Sequence, residues 1–339
     1  MNPLSKLEFW LARGKTEPRD SDESQSDHQA TKGGQTRGEQ APQTTALDEE
    51  HADVDAEDGD ALIQASGYSA ENSTPGMSGL ELARDQEIRV LIMMNRTGWL
   101  VASDIARLIW PDTAYGRQMA YRLLKRLLKN EEILARPAPN CRMFALSQRG
   151  ARRLHDETLE KARSGKNLTA GYFHHRRLAN AFVIEKHLNP DGEWPYYRTE
   201  YEIQSDPSDT YKLGRKVPDV ILLNDNVLGW VECENARKKK EDFDRLIEFT
   251  IDNLSRKVYP VEGRLLVEVI FVYEHEAAKT RIVNELVRRY KRDRHMDWYE
   301  FASSIVFTHI HFDRNRICTG LSSENFQNTL ALIDHGITE

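Results

Sequence analysis

The chain has 339 residues, 39% of them hydrophobic, and a formal net charge of −7. No apolar run approaches the roughly 20 residues that span a bilayer, and Met1–Lys6 lacks the apolar core of a secretion signal, so we expect a cytoplasmic protein. Three widely spaced cysteines form no CxxC unit, which argues against a zinc knuckle or a disulfide framework.

The charge is distributed unevenly. Residues 1–80 carry 16 acidic and 6 basic side chains, a net charge of −10, so the remaining residues carry +3. This segment is rich in Ser, Gln, Thr and Gly and cannot bury enough apolar surface to offset its ordering entropy. We predict a disordered acidic tail over 1–80, whose run Asp48–Asp60 either competes with DNA or only aids solubility.

Residues 81–163 show the pattern of a small DNA-binding domain. Helical periodicity predicts helices over Asp85–Thr97, Asp104–Trp110, with Ser103 as its cap, and Ala114–Asn130. Two short strands flank Pro137–Asn140, and a further helix closes the segment at about Arg163. Three helices followed by a basic-tipped hairpin resemble the winged helix-turn-helix fold.

A winged helix places its third helix in the major groove, and residues 85–155 carry a net charge of +7, which suits a polyanion. Four side chains of that helix can read base edges: Arg117, Gln118, Tyr121 and Arg122. Three basic side chains are expected at phosphates: Lys125, Arg136 and Arg142. The alternatives are a merely solvated basic face or a winged helix that dimerises.

After a linker at 164–171, a second domain is predicted over 172–325. Its first helix, Tyr172–Leu188, begins with a basic cluster that we expect at DNA phosphates near the cut: His174, His175, Arg176 and Arg177. A solvated polar face is the alternative. Trp194–Ile203 is predicted as a strand with Glu200 and Glu202 on one face, and we favour Glu200 as a further catalytic carboxylate.

A hairpin follows, with strands Val217–Leu223 and Val227–Cys233 joined by a tight turn. Side chains alternate along a strand, so Glu232 and Glu234 share one face, with Asp219 on the neighbouring strand. Three convergent carboxylates repel unless a cation bridges them, and oxygen ligands suit Mg²⁺ or Mn²⁺. We therefore predict a metal site, with a solvent-facing acidic hairpin as the alternative.

The remaining segments complete an alternating pattern: a helix over Ala236–Lys257, a strand over Leu265–Tyr273, a helix over Lys279–Lys291 and a strand over Ser304–Phe312. This order predicts an α/β core. Within the last strand, His309-Ile310-His311 places two imidazoles on one face, as in relaxases of the HUH class. That class adds a third histidine and a nucleophilic tyrosine, for which His295, Tyr290 and Tyr299 are the nearby residues.

One sequence pattern resembles the core of PD-(D/E)xK nucleases: Pro218-Asp219, followed by Glu232-Cys233-Glu234 and a basic helix. Glu234 stands where the family has lysine. The resemblance implies a restriction-endonuclease-like core with a mixed sheet. In that class a lysine orients the attacking water, and we select Lys238 for this role. A surface charge run is the alternative for the lysines at 238–240.

This combination of motifs resembles the MOBC family of plasmid mobilisation relaxases and the replication-relaxation proteins of mobile elements. The motifs are the winged helix, His174-His175-Arg176-Arg177, Glu200-Tyr201-Glu202, Pro218-Asp219 and Glu232–Ala236. The resemblance covers residues 85–315.

The family resemblance implies an α+β multidomain endonuclease of conjugation that binds duplex DNA at a transfer origin. It would nick one strand with Mg²⁺ or Mn²⁺ held by Asp219, Glu232 and Glu234, alongside a possible accessory mobilisation protein. Two alternatives are a non-catalytic DNA-binding accessory protein and a restriction-type endonuclease.

Overall fold

The computed structural model describes residues 77–335 except 112, 190–192, 206–215, 236–238, 256–263 and 293–296. Most of the predicted tail therefore lies outside the described residues, as do Lys238 and His295. The described residues belong to one compact unit. None of the described helices has the length and apolar character that a bilayer crossing requires.

The N-terminal part consists of helices around a three-stranded antiparallel sheet of order β1-β3-β2. Its elements are α1 (Gly79–Thr97), β1 (Leu100–Val101), α2 (Ala102–Ile109), α3 (Gly116–Lys129), β2 (Ile133–Ala138), β3 (Cys141–Leu146) and α4 (Gln148–Thr158). Ser78 and Glu81 form a capping box that starts α1, and Gly98, at a φ of 84°, ends it.

Two expectations about this part need correction. Ser103 does not cap α2, because the helix begins at Ala102, two residues earlier than predicted, and the Asp104 carboxylate accepts the backbone N–H of Val101. The helix after β3 ends at Thr158 and not near Arg163, because Leu159 adopts a left-handed conformation.

The second part is built on a six-stranded mixed sheet of order β4-β5-β6-β7-β8-β9, so the expected mixed sheet is confirmed. Its elements are α5 (Phe173–Leu188), β4 (Tyr196–Thr199), α6 (Glu200–Ser205), β5 (Val220–Asn224), β6 (Val227–Glu234), α7 (Lys240–Ser255), β7 (Leu265–Tyr273), α8 (Glu276–Arg292), α9 (Trp298–Ser303), β8 (Ile305–Phe312), β9 (Cys318–Asn325) and α10 (Phe326–Asp334). Strands β6, β7 and β8 are parallel, and the other neighbours are antiparallel.

The strand predicted over Trp194–Ile203 is wrong in its second half. After Thr199 the chain turns into α6, because the Thr199 hydroxyl accepts the N–H of Glu202 while the Glu202 carboxylate accepts the N–H of Thr199. Glu200 and Glu202 therefore lie on a helix and not on one strand face. The sequence also gave no indication of α9, β9 and α10.

Side-chain alternation in the sheet separates two apolar clusters. Val231 and Cys233 face α5 and the N-terminal helices, whereas Trp230 faces α7 and α8. The first cluster is continuous from α1, α2 and α3 through α5 to β5 and β6. Because the N-terminal helices and the large sheet share this core, the fold holds α3 and the end of the sheet in one fixed arrangement.

Candidate nucleic-acid cleft and acidic cluster

The acidic hairpin forms as predicted, with Val220 opposite Val231, and Asp225 and Asn226 make the turn. The first strand begins at Val220 and not at Val217 as predicted. Pro218 lacks a backbone donor for the ladder, and Asp219 lies in a bend that precedes the strand. The carboxylate of Asp219 is therefore not held on the strand face that Glu232 occupies.

Glu232 lies on the face of the sheet covered by α7. Its Oε1 accepts a hydrogen bond of 2.6 Å from the indole Nε1 of Trp230, and its Oε2 lies 2.8 Å from the Lys216 ammonium. That ammonium also lies 5.4 Å from the centroid of the Phe249 ring on α7. Both oxygens of this buried carboxylate thus have strong donors, an arrangement that stabilises the hairpin.

Asp219 points toward α5, on the other side of the sheet. Its Oδ1 lies 2.7 Å from Nε2 of His175, and its Oδ2 accepts the backbone N–H of Cys233 at 2.7 Å. Its backbone carbonyl accepts the N–H of Glu200 at 2.8 Å. The structure therefore brings Asp219, His175 and the first residue of α6 together.

Glu200 completes this acidic cluster. Burial and, next, the nearby charge of Asp219 raise the pKa of the Glu200 carboxyl, while the charges of Arg176 and His175 act against the shift. Arg176 lies 3.7 Å from the carboxylate, and Gln204 donates to it at 2.6 Å. Because its pKa is raised, Glu200 can hold a proton closer to neutral pH than an exposed glutamate can.

The three predicted metal ligands do not form one group. Asp219 and Glu232 bind different partners on opposite sides of the sheet, and Glu234 is buried at the carboxyl end of β6. Among the described residues, no group of three or more His, Cys, Asp or Glu side chains is placed to hold a metal ion. The donor set as arranged does not fit the predicted tricarboxylate site.

A cleft of about 1110 Å³ lies where α3, the β2-β3 hairpin and the start of α5 meet the carboxyl ends of β6 and β7. Six of the predicted DNA contacts line it: Arg117, Tyr121, Lys125, Arg142, His174 and Arg177. Gln118 and Arg122 are exposed elsewhere on α3, and Arg136 is half-buried on β2. His175, turned to Asp219, does not line the cleft.

The cleft also contains side chains that the sequence reasoning missed, among them Asn235, His275, Arg314 and Arg316. Its lining includes one carboxylate, Glu274, whose two oxygens accept hydrogen bonds from Nη1 and Nη2 of Arg316. The run Arg314-Asn315-Arg316 between β8 and β9 is recognisable in the sequence as basic. Its position close to the residues of α3 depends on the tertiary structure. The result is a strongly basic cleft.

No family model, curated protein or solved structure matches this chain. The assignment of function therefore depends on the geometry of the cleft and acidic cluster, together with the motif resemblance.

The histidine pair of β8 lies at the edge of this region. His309 and His311 share one face, with ring centroids 4.3 Å apart. Nε2 of His309 donates to the Glu274 carbonyl at 2.9 Å, and Nε2 of His311 is bonded to the Ser322 hydroxyl at 2.8 Å. Both imidazoles thus have protein partners, which favours a packing role for the pair.

Proposed function

We propose that this chain binds duplex DNA through α3 and the adjoining cleft and nicks one strand, acting as a relaxase-type endonuclease at the transfer origin of a plasmid or mobile element. The main support for this proposal is the cleft. Its cations lie on α3, α5 and the β8-β9 loop, which are distant in sequence and come together only in the folded chain. Such a concentration of positive charge suits a polyanion.

The N-terminal part supports a winged-helix assignment. Helix α3 buries one apolar face, while its other face exposes Arg117, Gln118, Tyr121 and Arg122. The β2-β3 hairpin, with exposed Arg142, lies next to it as a wing. An exposed helix face with arginine and glutamine is suited to reading base edges in the major groove.

The cluster of Asp219, His175 and Glu200 supports a catalytic assignment. His174 lines the cleft, and the adjacent His175 on α5 is bonded to Asp219, so α5 connects the cluster to the cleft. Asp219 fixes the imidazole of His175, and Glu200 supplies a second group that can exchange a proton. The Mg²⁺ or Mn²⁺ requirement stays a prediction from the resemblance, and no step here depends on it.

Plasmid nicking tests the catalytic half. We expect purified protein to convert supercoiled plasmid carrying its element's transfer origin into open circles, and Asp219→Asn to abolish this while duplex binding persists. Asp225→Asn, in the exposed turn of the same hairpin, is the matched control and should retain activity. Reactions with Mg²⁺, Mn²⁺ or EDTA test the metal requirement. Wild-type nicking by Asp219→Asn would exclude the acidic cluster.

Duplex binding tests the other half. Arg117→Gln should weaken binding and lower the slope of log K against log salt by about 0.9 if a phosphate contact is lost. Arg288→Gln removes the same charge on α8 and should leave the slope unchanged. Equal effects of the two substitutions would contradict binding through α3.

The second candidate is a non-catalytic DNA-binding accessory protein. It is favoured because both carboxylate oxygens of Glu232 already accept hydrogen bonds, from Trp230 and Lys216. It predicts gel retardation of the plasmid with no open circles in any divalent ion. A restriction-type enzyme would instead yield linear plasmid.

A further inference from the structure

Arg177 is a buried cation at the floor of the cleft. Its side chain lies on α5, and the residue is 8% exposed. Among the described residues, its Nη2 donates to the Ser103 hydroxyl at 3.0 Å and to the Arg316 carbonyl at 2.7 Å, while Nε has no acceptor. The charges of Asp104 and Glu274 act on Arg177, but neither carboxylate forms an ion pair with it within the described ranges. A buried charge without a bonded counter-charge is costly, so an anion bound to this guanidinium would be stabilised.

The surroundings of Arg177 hold it in place through contacts with neutral groups. Arg316 adopts a left-handed conformation at a φ of 63°, an unfavourable one for arginine, and this turn presents its carbonyl to Arg177. The Arg316 guanidinium binds Glu274, so the one carboxylate of the cleft lining is already compensated. The Phe312 ring lies 5.5 Å from Cζ of Arg177. An oriented guanidinium that lines the cleft and has no bonded carboxylate is suited to an anion.

We propose that Arg177 is the centre of a phosphate-binding subsite that takes a phosphodiester of a DNA strand separated from its complement. The inference rests on the proposed function and specifies the form of DNA that enters the cleft. Phosphates of intact duplex lie on the outside of a wide, stiff cylinder and cannot reach a side chain buried at the cleft floor. An unpaired strand is narrow and flexible enough to do so.

The rest of the cleft fits an unpaired strand. Arg142, His174 and Arg314 add positive charge along the lining, and Tyr121, half-exposed, offers a ring for base stacking. Asn140 offers an amide group that can bond a base edge. A basic groove interleaved with an aromatic ring is typical of proteins that bind single strands. The cleft volume, about 1110 Å³, suits a short run of nucleotides at its floor.

Binding of fluorescent oligonucleotides tests the subsite. We expect Arg177→Met to weaken binding of a short single strand about tenfold or more, because a charge-assisted pair is lost. For the Arg177→Met protein, the slope of log K against log salt should fall by about 0.7 on single strands, and binding of the matching duplex should be unchanged. Arg177→Lys keeps the charge and should retain the slope with reduced affinity. Arg288→Met, on α8, is the equal-charge control and should change neither.

A measurement on the unaltered protein covers the case in which Arg177→Met does not fold. Cys141 lines the cleft and is exposed, whereas Cys233 and Cys318 are buried, so a maleimide reports on the cleft. Saturating single strand should slow labelling of Cys141 several-fold.

The subsite is overturned if single strand leaves Cys141 labelling unchanged, or if Arg177→Met weakens binding of both DNA forms alike. Duplex binding that depends on Arg117 would persist in each case and keep the proposed function. If the protein bound neither single-stranded nor duplex DNA, both the subsite and the proposed function would be excluded.

Discussion

Neutralising Glu232 distinguishes a structural carboxylate from a metal-binding one. Alanine at this position leaves the Lys216 ammonium and the Trp230 indole N–H without their acceptor. Breaking a buried ion pair costs about 3–5 kcal/mol, and a hydrogen bond from a neutral donor adds about 1 kcal/mol. Because the Lys216 side chain is 29% exposed, water compensates part of this loss, and we expect Glu232→Ala to lower the free energy of unfolding by about 3 kcal/mol.

A metal-ligand role predicts the opposite sign. Clustered carboxylates repel one another when no cation is bound, so neutralising one would stabilise the metal-free protein. Urea unfolding in EDTA of wild type, Glu232→Gln, Lys216→Met and the double variant measures the coupling between the two side chains, expected at about 1 kcal/mol or more. A Glu232→Gln protein as stable as wild type, with no coupling to Lys216, would refute the structural role.

Three further predictions concern other contacts. Arg107 binds both carboxylate oxygens of Glu185 at 2.5 and 2.8 Å and joins α2 to α5. In urea unfolding, Glu185→Gln should therefore lower the free energy of unfolding by about 3 kcal/mol. The control Asp225→Asn should leave that free energy unchanged. Burial raises the pKa of Asp104 to about 6 from its ordinary value of 3.8, so the folded state binds the extra proton. Stability should therefore fall by about 3 kcal/mol as pH rises from about 4 to 6, and unfolding of Asp104→Asn should lack this step. Removing residues 1–76 should tighten DNA binding at low salt and change little at high salt, if the acidic run competes for the cleft; equal affinities at low salt would exclude competition.

Local sequence patterns determined much of the secondary structure. Apolar spacing predicted the buried faces of α3 and α5, and Leu123, Leu124, Leu178 and Phe182 are buried as expected. The hairpin turn and strand β7 were also predicted correctly, because hydrogen bonding and side-chain alternation in such elements depend on residues close in sequence. Charge counts likewise indicated a basic part of the chain.

Tertiary structure alone decided which functional side chains meet. Asp219 is bonded to His175, 44 residues away, and not to the carboxylates of its own hairpin, because Pro218 delays the start of β5. Arg177 reaches the carbonyl of Arg316, 139 residues away, through the return of the chain from β8 to β9. A pattern in sequence fixes the face on which a side chain lies, whereas its partners across such separations depend on how the sheet and helices pack together.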